Sequence, residues 1–319
     1  MANVVLQMKV STIEEMQTYY KNTLGEKLPP GSIFTAKVAQ CNITAYKSGK
    51  VLFQGANAEN EALKWDKKQV QSSSATVKKS SVKQHAYSPP ANIGQLNIIG
   101  SDEVGTGDYF GPITVAAAYA DSSTIPLLKE LGVRDSKNIK DPEILKIASQ
   151  LKHVVPFSLL VLDNVKYNTL QAKGMSQGKI KAYLHNLALK KLIEKIKPTT
   201  ADGVLIDQFA QPDVFFGYLK GLEMFEAKNI YLSTGGESIH LSVAAASILA
   251  RAAFVKKFDE LSKEAGFVIP KGAGPAVDQA AAKLIQLKGI ESLNTFTKKH
   301  FANTEKAKKL LQKKGISFR

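Results

Sequence analysis

The sequence predicts an α/β protein in two parts: a small α+β domain, followed by a larger domain in which helices flank a mixed β-sheet. Two observations lead to this fold class. Segments with strand composition alternate with segments of helical periodicity along most of the 319 residues. In the larger part the strands come mostly first and then alternate with helices, which is typical of a mixed sheet.

A serine-rich basic stretch divides the chain. Residues 71–91 contain six serines, three lysines, two adjacent prolines and no acid. Such a composition buries no core, and an ordinary surface loop of this length is uncommon. We therefore expect a first domain at 1–70, a flexible basic linker at 71–91 and a second domain at 92–319.

The first domain predicts the order strand, helix, three strands, helix. A strand at 4–10 precedes a helix that begins at Ser11, where Glu14 completes a capping box. Gly25 follows as a stop signal. The remaining elements are strands at 32–39, 42–46 and 51–54 and a helix at 58–70.

Alternation along these strands separates an apolar face from a polar one. Phe34 and Ala36 fall on the apolar face, whereas Lys37 and Tyr46 fall on the polar face. The polar face is a candidate surface for a nucleic-acid backbone, with Lys37 and Tyr46 as candidate substrate-binding residues. A simple solvated face is the alternative for each residue.

The second domain begins with strands and continues with strands and helices in alternation. Strands are predicted at 95–100, 113–119, 154–162, 203–206 and 229–232. Helices are predicted at 142–151, 176–196, 238–265 and 276–287. The last 32 residues hold nine Lys or Arg against two acids. A solvated tail helix and a phosphate-contacting edge both remain open for them.

Charge and composition limit the classes of partner that the protein can bind. The net charge is +15 and the pI about 9.6, which indicates a polyanionic partner. No run of about 18 apolar residues predicts a membrane span, and the N-terminus does not resemble a signal peptide. One cysteine, Cys41, and five scattered histidines exclude a disulfide or a Cys/His metal cluster within the chain. We expect a cytoplasmic protein that binds nucleic acid.

Two adjacent carboxylates follow an apolar strand. Asp102 and Glu103 lie in the segment GSDEVGTGDYFGP, directly after the strand LNII. Carboxylates at the end of a buried strand are costly unless they are paired or bind a metal. The glycines allow the chain to turn there and a ligand to approach the backbone. Taken alone, an acidic turn is the simpler interpretation.

Two further acids occupy comparable positions. Asp207 ends the short apolar strand at 204–206, and Glu237 lies in a glycine-rich loop before a long helix. A glutamate there also suits the helix dipole. Together the four carboxylates form an oxygen-only donor set inside a basic protein, which suits Mg²⁺ or Mn²⁺. Two such ions about 4 Å apart are the arrangement used to hydrolyse phosphodiesters.

Four segments in chain order resemble motifs of the type 2 ribonucleases H, and within them ribonuclease HIII more than HII. They are GSDEVGTGDYFGP, the DSK of Asp135–Lys137, LIDQF around Asp207, and SIHLSVAAASILAR, which contains Ser242, Ser247 and Arg251. The triplet Gly105-Thr106-Gly107 and the glutamate at Glu237 favour HIII. The resemblance implies a ribonuclease-H-like catalytic domain preceded by a domain similar to half of the TATA-binding protein.

The resemblance also implies roles for individual residues. Asp102, Glu103, Asp207 and Glu237 correspond to the catalytic carboxylates, of which the first three ligate the metals and Glu237 acts more peripherally. The backbone of Gly105, Thr106 and Gly107 corresponds to the motif that recognises ribose 2′-hydroxyls. Ser136 and Lys137 are candidates for phosphate contact. For Lys137 a plain exposed lysine is the alternative.

The function expected from these motifs is hydrolysis of the RNA strand of RNA–DNA hybrids, leaving 5′-phosphate and 3′-hydroxyl ends. We expect a monomer with no protein partner. Ribonuclease HII-like nicking at single embedded ribonucleotides is the nearest alternative, and a non-catalytic nucleic-acid-binding protein is the second. An NTPase is disfavoured because its phosphate-binding loop motif is absent from the sequence.

Overall fold

The computed structural model describes residues 3–26, 28–29, 31–65 and 85–313. The chain divides into two compact units, 1–83 and 84–319, and each is described by itself. The division falls inside the predicted linker, of which residues 71–84 lie outside the described ranges.

Residues 85–91 differ from the prediction because they pack on the second unit. The carbonyl of Tyr87 accepts a hydrogen bond from the amide of Leu232 at 2.8 Å, and its ring lies 4.6 Å from that of Phe216. The tyrosine ring finds an apolar partner there. The boundary of the second unit therefore lies before residue 85, not at 92.

The first unit is a four-stranded antiparallel sheet in the order β1-β4-β3-β2. Its elements are β1 (Asn3–Gln7), α1 (Val10–Tyr19), β2 (Ser32–Val38), β3 (Cys41–Tyr46), β4 (Lys50–Gln54) and α2 (Ala58–Leu63). This confirms the predicted order. Phe34, Ala36 and Ile43 are buried, whereas Lys37 is exposed, so the two faces are as predicted.

The capping box predicted for α1 is wrong. The helix begins one residue earlier, Lys9 is its N-cap, and no side chain caps it. Ser11 therefore lies inside the first turn, where its hydroxyl is past the capping position. The helix predicted at 58–70 is observed to Leu63, and residues 66–70 lie outside the described ranges.

The second unit contains a five-stranded mixed sheet in the order β7-β6-β5-β8-β9. Its strands are β5 (Ile98–Val104), β6 (Ile113–Ala120), β7 (Phe157–Leu162), β8 (Gly203–Asp207) and β9 (Ile230–Ser233). Strands β5, β6 and β7 pair antiparallel, whereas β8 and β9 run parallel to β5.

Helices cover both faces of this sheet, as predicted. They are α3 (Ile125–Glu130), α4 (Asp141–Val154), α5 (Asn164–Ala172), α6 (Gln177–Ile196), α7 (Pro212–Leu219), α8 (Leu241–Ala265), α9 (Pro275–Lys288), α10 (Ser292–Phe296) and α11 (Asn303–Gln312). The shorter helices α3, α5, α7 and α10 were not predicted, whereas α11 lies in the last 32 residues, for which a tail helix was one of two open interpretations. No helix in the described ranges is long and apolar enough to span a membrane.

The alanine-rich start of α8 packs directly on β5. A Cβ atom built on Gly100 would lie 2.2 Å from the amide nitrogen of Val243, so only glycine allows this approach. Ala244, Ala245 and Ala246 are fully buried beside it. This close packing brings the N-terminus of α8, and the turn before it, to the strand that carries Asp102.

Candidate active site

Asp102 and Asp207 lie side by side on two parallel strands. Ser101 of β5 pairs with Ile206 of β8, so the next residues, Asp102 and Asp207, reach the same edge of the sheet. Glu237 lies in the turn 236–238, between β9 and α8. Neighbouring parallel strands thus deliver acids that are 105 positions apart in the sequence.

Asp102 is buried and surrounded by negative charge. Its carboxylate accepts a hydrogen bond from the amide of Glu103 at 2.7 Å. Burial raises its pKa well above the ordinary value, and the charges of Asp207, Glu103 and Glu237 add to that rise, while a hydrogen bond from Ser247 opposes it. All three acids are thus near enough for their charges to act on Asp102.

Asp207 and Glu237 are oriented by backbone amides. Gly236 donates its amide hydrogen to Asp207 Oδ1 at 2.8 Å, and Ser136 donates its own to Glu237 Oε2 at 2.6 Å. Burial raises the pKa of Asp207, and the charge of Glu103 adds to it, whereas the Gly236 amide and Lys137 oppose it. Both side chains are therefore fixed by contacts that leave part of each carboxylate unused.

Glu103 is held by two basic side chains of α6. Lys181 Nζ lies 2.9 Å from Oε1 and His185 Nε2 lies 2.9 Å from Oε2. Burial opposes ionisation of Glu103, but the hydrogen bond and charge of His185, together with Lys181, outweigh it and lower the pKa. Ser101 Oγ lies 2.7 Å from His185 Nδ1, which orients the imidazole ring.

Sequence reasoning missed Lys181 and His185. Both sit on the face of α6 that also carries the aromatic contact with Phe209: Lys181 Nζ lies 4.0 Å from that ring, and the imidazole of His185 stacks on it. The signal was the spacing of four residues, which puts two side chains on one face of a helix. Without the fold, nothing in the sequence points that face at Glu103.

The donor set suits a divalent cation. In the described residues no three His, Cys, Asp or Glu side chains are grouped closely enough to hold an ion as they stand. Each acid is instead turned onto a protein donor. Nevertheless the pKa values of Asp102 and Asp207 are both raised by burial and by neighbouring acids, so the negative charge of these two side chains is only partly compensated. Hard oxygen ligands with excess negative charge are what Mg²⁺ and Mn²⁺ prefer.

The glycine triplet after β5 has two different kinds of glycine. Gly105 has a φ of +95°, and a Cβ atom there would lie 2.3 Å from the carbonyl oxygen of Pro112. Gly107 is exposed, has no such φ, and an added Cβ would meet nothing within 4 Å. The fold therefore requires glycine at Gly105 but not at Gly107. The carbonyl of Thr106 accepts from Gln177 Nε2 at 3.1 Å.

The polar groups of Ser136 form hydrogen bonds within the protein rather than with solvent. It is buried, its hydroxyl lies 2.9 Å from that of Ser247, and its carbonyl accepts from Arg251. Arg251 also pairs with Asp141 at 2.8 Å. Together with the hydrogen bond from the Ser136 amide to Glu237, these contacts make the segment Asp135–Lys137 a structural support for Glu237. Lys137 is exposed beside it, and its charge acts on Asp207.

Lys37 and Tyr46 belong to the polar face of the first unit. Lys37 is exposed and pairs across the sheet with Asn42, which pairs in turn with Gln54. The three form a polar row across β2, β3 and β4. Tyr46 is half-buried on the same face. Sequence reasoning did not single out Gln54, although its position in β4 follows from strand alternation.

Comparison with known proteins places the chain in a family. The family model Ribonuclease HII matches residues 99–304, and a domain of unknown function (DUF3378) matches residues 3–78. Ribonuclease HIII of Bacillus mycoides (strain KBAB4) is 59% identical over 311 residues, covering 98% of this chain and 99% of that protein. Ribonuclease HIII of Bacillus cereus (strain ATCC 10987 / NRS 248) is 58% identical, covering 97% and 99%.

Solved structures agree with the sequence relatives. The crystal structure of Bst-RNase HIII in complex with Mn²⁺ is 42% identical, covers 98% of this chain and 100% of its own, and superposes with a TM-score of 0.68. Ribonuclease H2 from Pyrococcus horikoshii OT3, at 21% identity and a TM-score of 0.56 over 68% of the chain, shares the fold. The chain therefore belongs to the ribonuclease HII family and, within it, groups with the ribonuclease HIII proteins.

Proposed function

We propose that this protein is a metal-dependent endoribonuclease that hydrolyses the RNA strand of RNA–DNA hybrids. Two observations support the proposal, inside a protein of net charge +15. Asp102 and Asp207 reach the same edge of the sheet on neighbouring parallel strands, and the charges of Glu103 and Glu237 act on Asp102. An acidic pocket repels a nucleic acid unless cations occupy it, so its presence in a basic protein favours catalysis over simple binding.

Asp102, Glu103 and Asp207 are the proposed metal ligands, and Glu237 is proposed to act more peripherally. The family resemblance gives Glu237 that part, and its Oε2 accepts a hydrogen bond from the Ser136 amide at 2.6 Å. Mg²⁺ or Mn²⁺ fits the oxygen donors, and the related Bst-RNase HIII is described as a complex with Mn²⁺. Bound there, two ions supply an activated water and charge stabilisation for the leaving oxygen.

Other residues of the chain orient the carboxylates of this site. Lys181 and His185 fix the orientation of Glu103, and the Gly236 amide fixes Asp207. Lys137 stands exposed at the rim, within electrostatic reach of Asp207, where it is suited to a phosphate oxygen. We propose that hydrolysis leaves 5′-phosphate and 3′-hydroxyl ends.

Recognition of RNA is assigned to the backbone of Gly105, Thr106 and Gly107. Gly107 supports this assignment, because it is a glycine that the fold itself does not require. Open space over an exposed backbone lets a ribose 2′-hydroxyl come within hydrogen-bond distance of amide and carbonyl groups. A DNA strand lacks that hydroxyl and makes fewer hydrogen bonds at the same place.

We propose that the polar face of the first unit holds the nucleic-acid backbone. Lys37, Asn42 and Gln54 lie in one row across the strands, with Tyr46 on the same face. One cation beside two amides suits phosphate and sugar contacts, which position a duplex without reading its sequence. This unit would raise affinity for the hybrid without touching the scissile phosphate.

We further propose a monomer that works in the cytoplasm. All four acids come from one chain, so the site needs no second subunit. The one cysteine, Cys41, is a buried free thiol, which suits a reducing compartment.

The test is a substrate panel with Mg²⁺ and with Mn²⁺: a uniform RNA–DNA hybrid, double-stranded DNA, double-stranded RNA, and a DNA duplex that contains one ribonucleotide. We expect metal-dependent cleavage of the hybrid and not of the other uniform duplexes. Faster nicking at the lone ribonucleotide than in the hybrid would favour the HII-like alternative. Binding of the hybrid without cleavage under either metal would reject the enzyme assignment.

A further inference from the structure

Lys298 is a lysine with no exposed surface. It lies just after α10, in the basic C-terminal region, and its Nζ donates to the carbonyl oxygens of Asp108 at 2.8 Å and Gly111 at 2.6 Å. Burial lowers its pKa to about 7, with the charge of Asp108 acting the other way. A buried ammonium group is costly, so its hydrogen bonds must serve the fold or the site.

Both carbonyls belong to the loop between β5 and β6, which begins with the glycine triplet at Gly105–Gly107. The backbone beside Lys298 pairs with the same loop: its amide donates to the carbonyl of Tyr109 at 2.8 Å, and the amide of Gly111 donates to the carbonyl of Phe296 at 3.0 Å. The segment after α10 therefore pairs with the far end of the loop through an isolated antiparallel bridge between Thr297 and Phe110.

Three other elements hold the loop as well. Gln177, at the start of α6, donates to the carbonyl of Thr106 at 3.1 Å, and Asn164 of α5 donates to that of Gly111 at 2.9 Å. The amide of Gly272 donates to the Asp108 carboxylate at 2.6 Å. Lys298 is the donor that joins two of the loop's carbonyls at once.

We propose that Lys298 is a positioning residue for ribose recognition: its two hydrogen bonds fix the loop so that the Gly105–Gly107 backbone is preformed for a 2′-hydroxyl. This inference rests on the proposed function and names the residue that sets its selectivity for RNA. A loop held in its binding conformation loses little conformational entropy when the ribose arrives. With a loose loop the protein still binds a duplex, but contact with the 2′-hydroxyl adds less to the affinity.

Burial distinguishes this positioning role from direct contact with phosphate, which is the usual role of a lysine in a basic segment. The neighbouring Lys299 has an exposed side chain and is free to reach phosphate, whereas Lys298 has no path to a ligand. An effect of Lys298 on binding must therefore pass through the loop. A phosphate contact adds equally to RNA and DNA, but a loop effect changes the ratio between them.

The experiment compares Lys298→Met with Lys299→Met in the full chain. Dissociation constants are measured for an RNA–DNA hybrid and for the DNA duplex of the same sequence, with Ca²⁺ in place of the catalytic metal, alongside kcat and KM with Mg²⁺. We expect Lys298→Met to lower the preference for the hybrid about tenfold and to raise KM more than it lowers kcat. Lys299→Met should weaken both duplexes alike.

Gln177→Ala is the second variant, which replaces Lys298→Met in the comparison if Lys298→Met does not fold. It removes a donor to Thr106 itself from a half-buried position, and we expect the same loss of preference with an unchanged melting temperature. An unchanged preference in folded Lys298→Met, or in Gln177→Ala if the first variant does not fold, would overturn the inference. Wild-type protein that fails to cleave the hybrid would reject the proposed function, and this inference with it.

Discussion

Asp102 shows how function and stability oppose each other at a single residue. Its pKa is raised by burial and by three neighbouring acids, so the folded protein binds a proton there more readily than the unfolded chain. By linkage, the ionised carboxylate therefore lowers the free energy of unfolding at neutral pH, and this loss is relieved as the pH falls towards the raised pKa.

We expect Asp102→Asn to raise the melting temperature at neutral pH without metal, because the amide removes buried negative charge and still accepts the hydrogen bond from Glu103. The same variant should lose hybrid cleavage by at least a hundredfold. Thermal unfolding with and without Mg²⁺ checks the first part, since Mg²⁺ should protect the wild type more than the variant. A lower melting temperature in the variant would contradict the charge argument.

The two glycines of the recognition triplet give a matched pair. Gly107→Ala should fold with wild-type stability, because its Cβ meets nothing, but should weaken cleavage about tenfold by blocking the ribose. Gly105→Ala should lower the free energy of unfolding by more than about 1 kcal/mol, since its φ is positive and Pro112 stands in the way. Chemical denaturation and hybrid kinetics on both variants separate the two roles; full activity in Gly107→Ala would count against ribose contact there.

The acids and glycines of the site were visible in the sequence, but their supports were not. Asp102 and Asp207 follow short apolar strands, and such strands deliver side chains to a common edge. Lys181 and His185 come from a helix about 80 residues further along than Glu103, and only the packing of α6 on the sheet brings them to it. Ser136 was predicted as a phosphate contact, yet its groups support Glu237 and α8.

At the level of elements, long periodic segments were predicted and short ones were not. Helices α4, α6, α8 and α9 have enough turns to show an apolar stripe. Helix α7, with the sequence PDVFFGYL, contains no regular polar face and has a glycine inside it. Helix α5 had a readable signal, since Asp163 caps it by accepting from the amide of Lys166.

Helix α6 contributes charge to the site, and that contribution is testable. Lys181→Met removes a cation beside Glu103, so we expect tighter binding of Mg²⁺, by several-fold, because less positive charge repels the ion. Isothermal titration calorimetry measures this directly. Lys179→Met, an exposed lysine on the same helix, is the matched control and should leave the affinity unchanged. Weaker Mg²⁺ binding in Lys181→Met would contradict the prediction.

At the scale of the whole molecule, a net charge of +15 accompanies the acidic site. This net charge attracts a nucleic-acid duplex, and binding through phosphates weakens as the salt concentration rises. The sequence predicted two domains because the serine-rich stretch interrupts every periodic pattern. It misjudged where the second unit begins, since Tyr87 packs on that unit. Composition alone does not reveal such a contact.

Lys37→Ala tests the polar face of the first unit. We expect weaker hybrid binding, a smaller dependence of affinity on salt concentration and an unchanged kcat, because we propose that Lys37 contacts phosphate away from the scissile bond. Lys21→Ala, an exposed lysine in the turn after α1, is the control. Fluorescence anisotropy across a salt series gives both slopes, and identical slopes for the two variants would remove the proposed surface.

We propose that carboxylates far apart in the sequence form one metal-dependent nuclease site. The most direct measurement is cleavage of a uniform RNA–DNA hybrid with Mg²⁺ by the wild type, Asp207→Asn and Asp213→Asn. Asp213 is an exposed acid in the first turn of α7, outside the site. We predict loss of cleavage in Asp207→Asn alone, with all three proteins folded. Wild-type cleavage by folded Asp207→Asn would contradict the account.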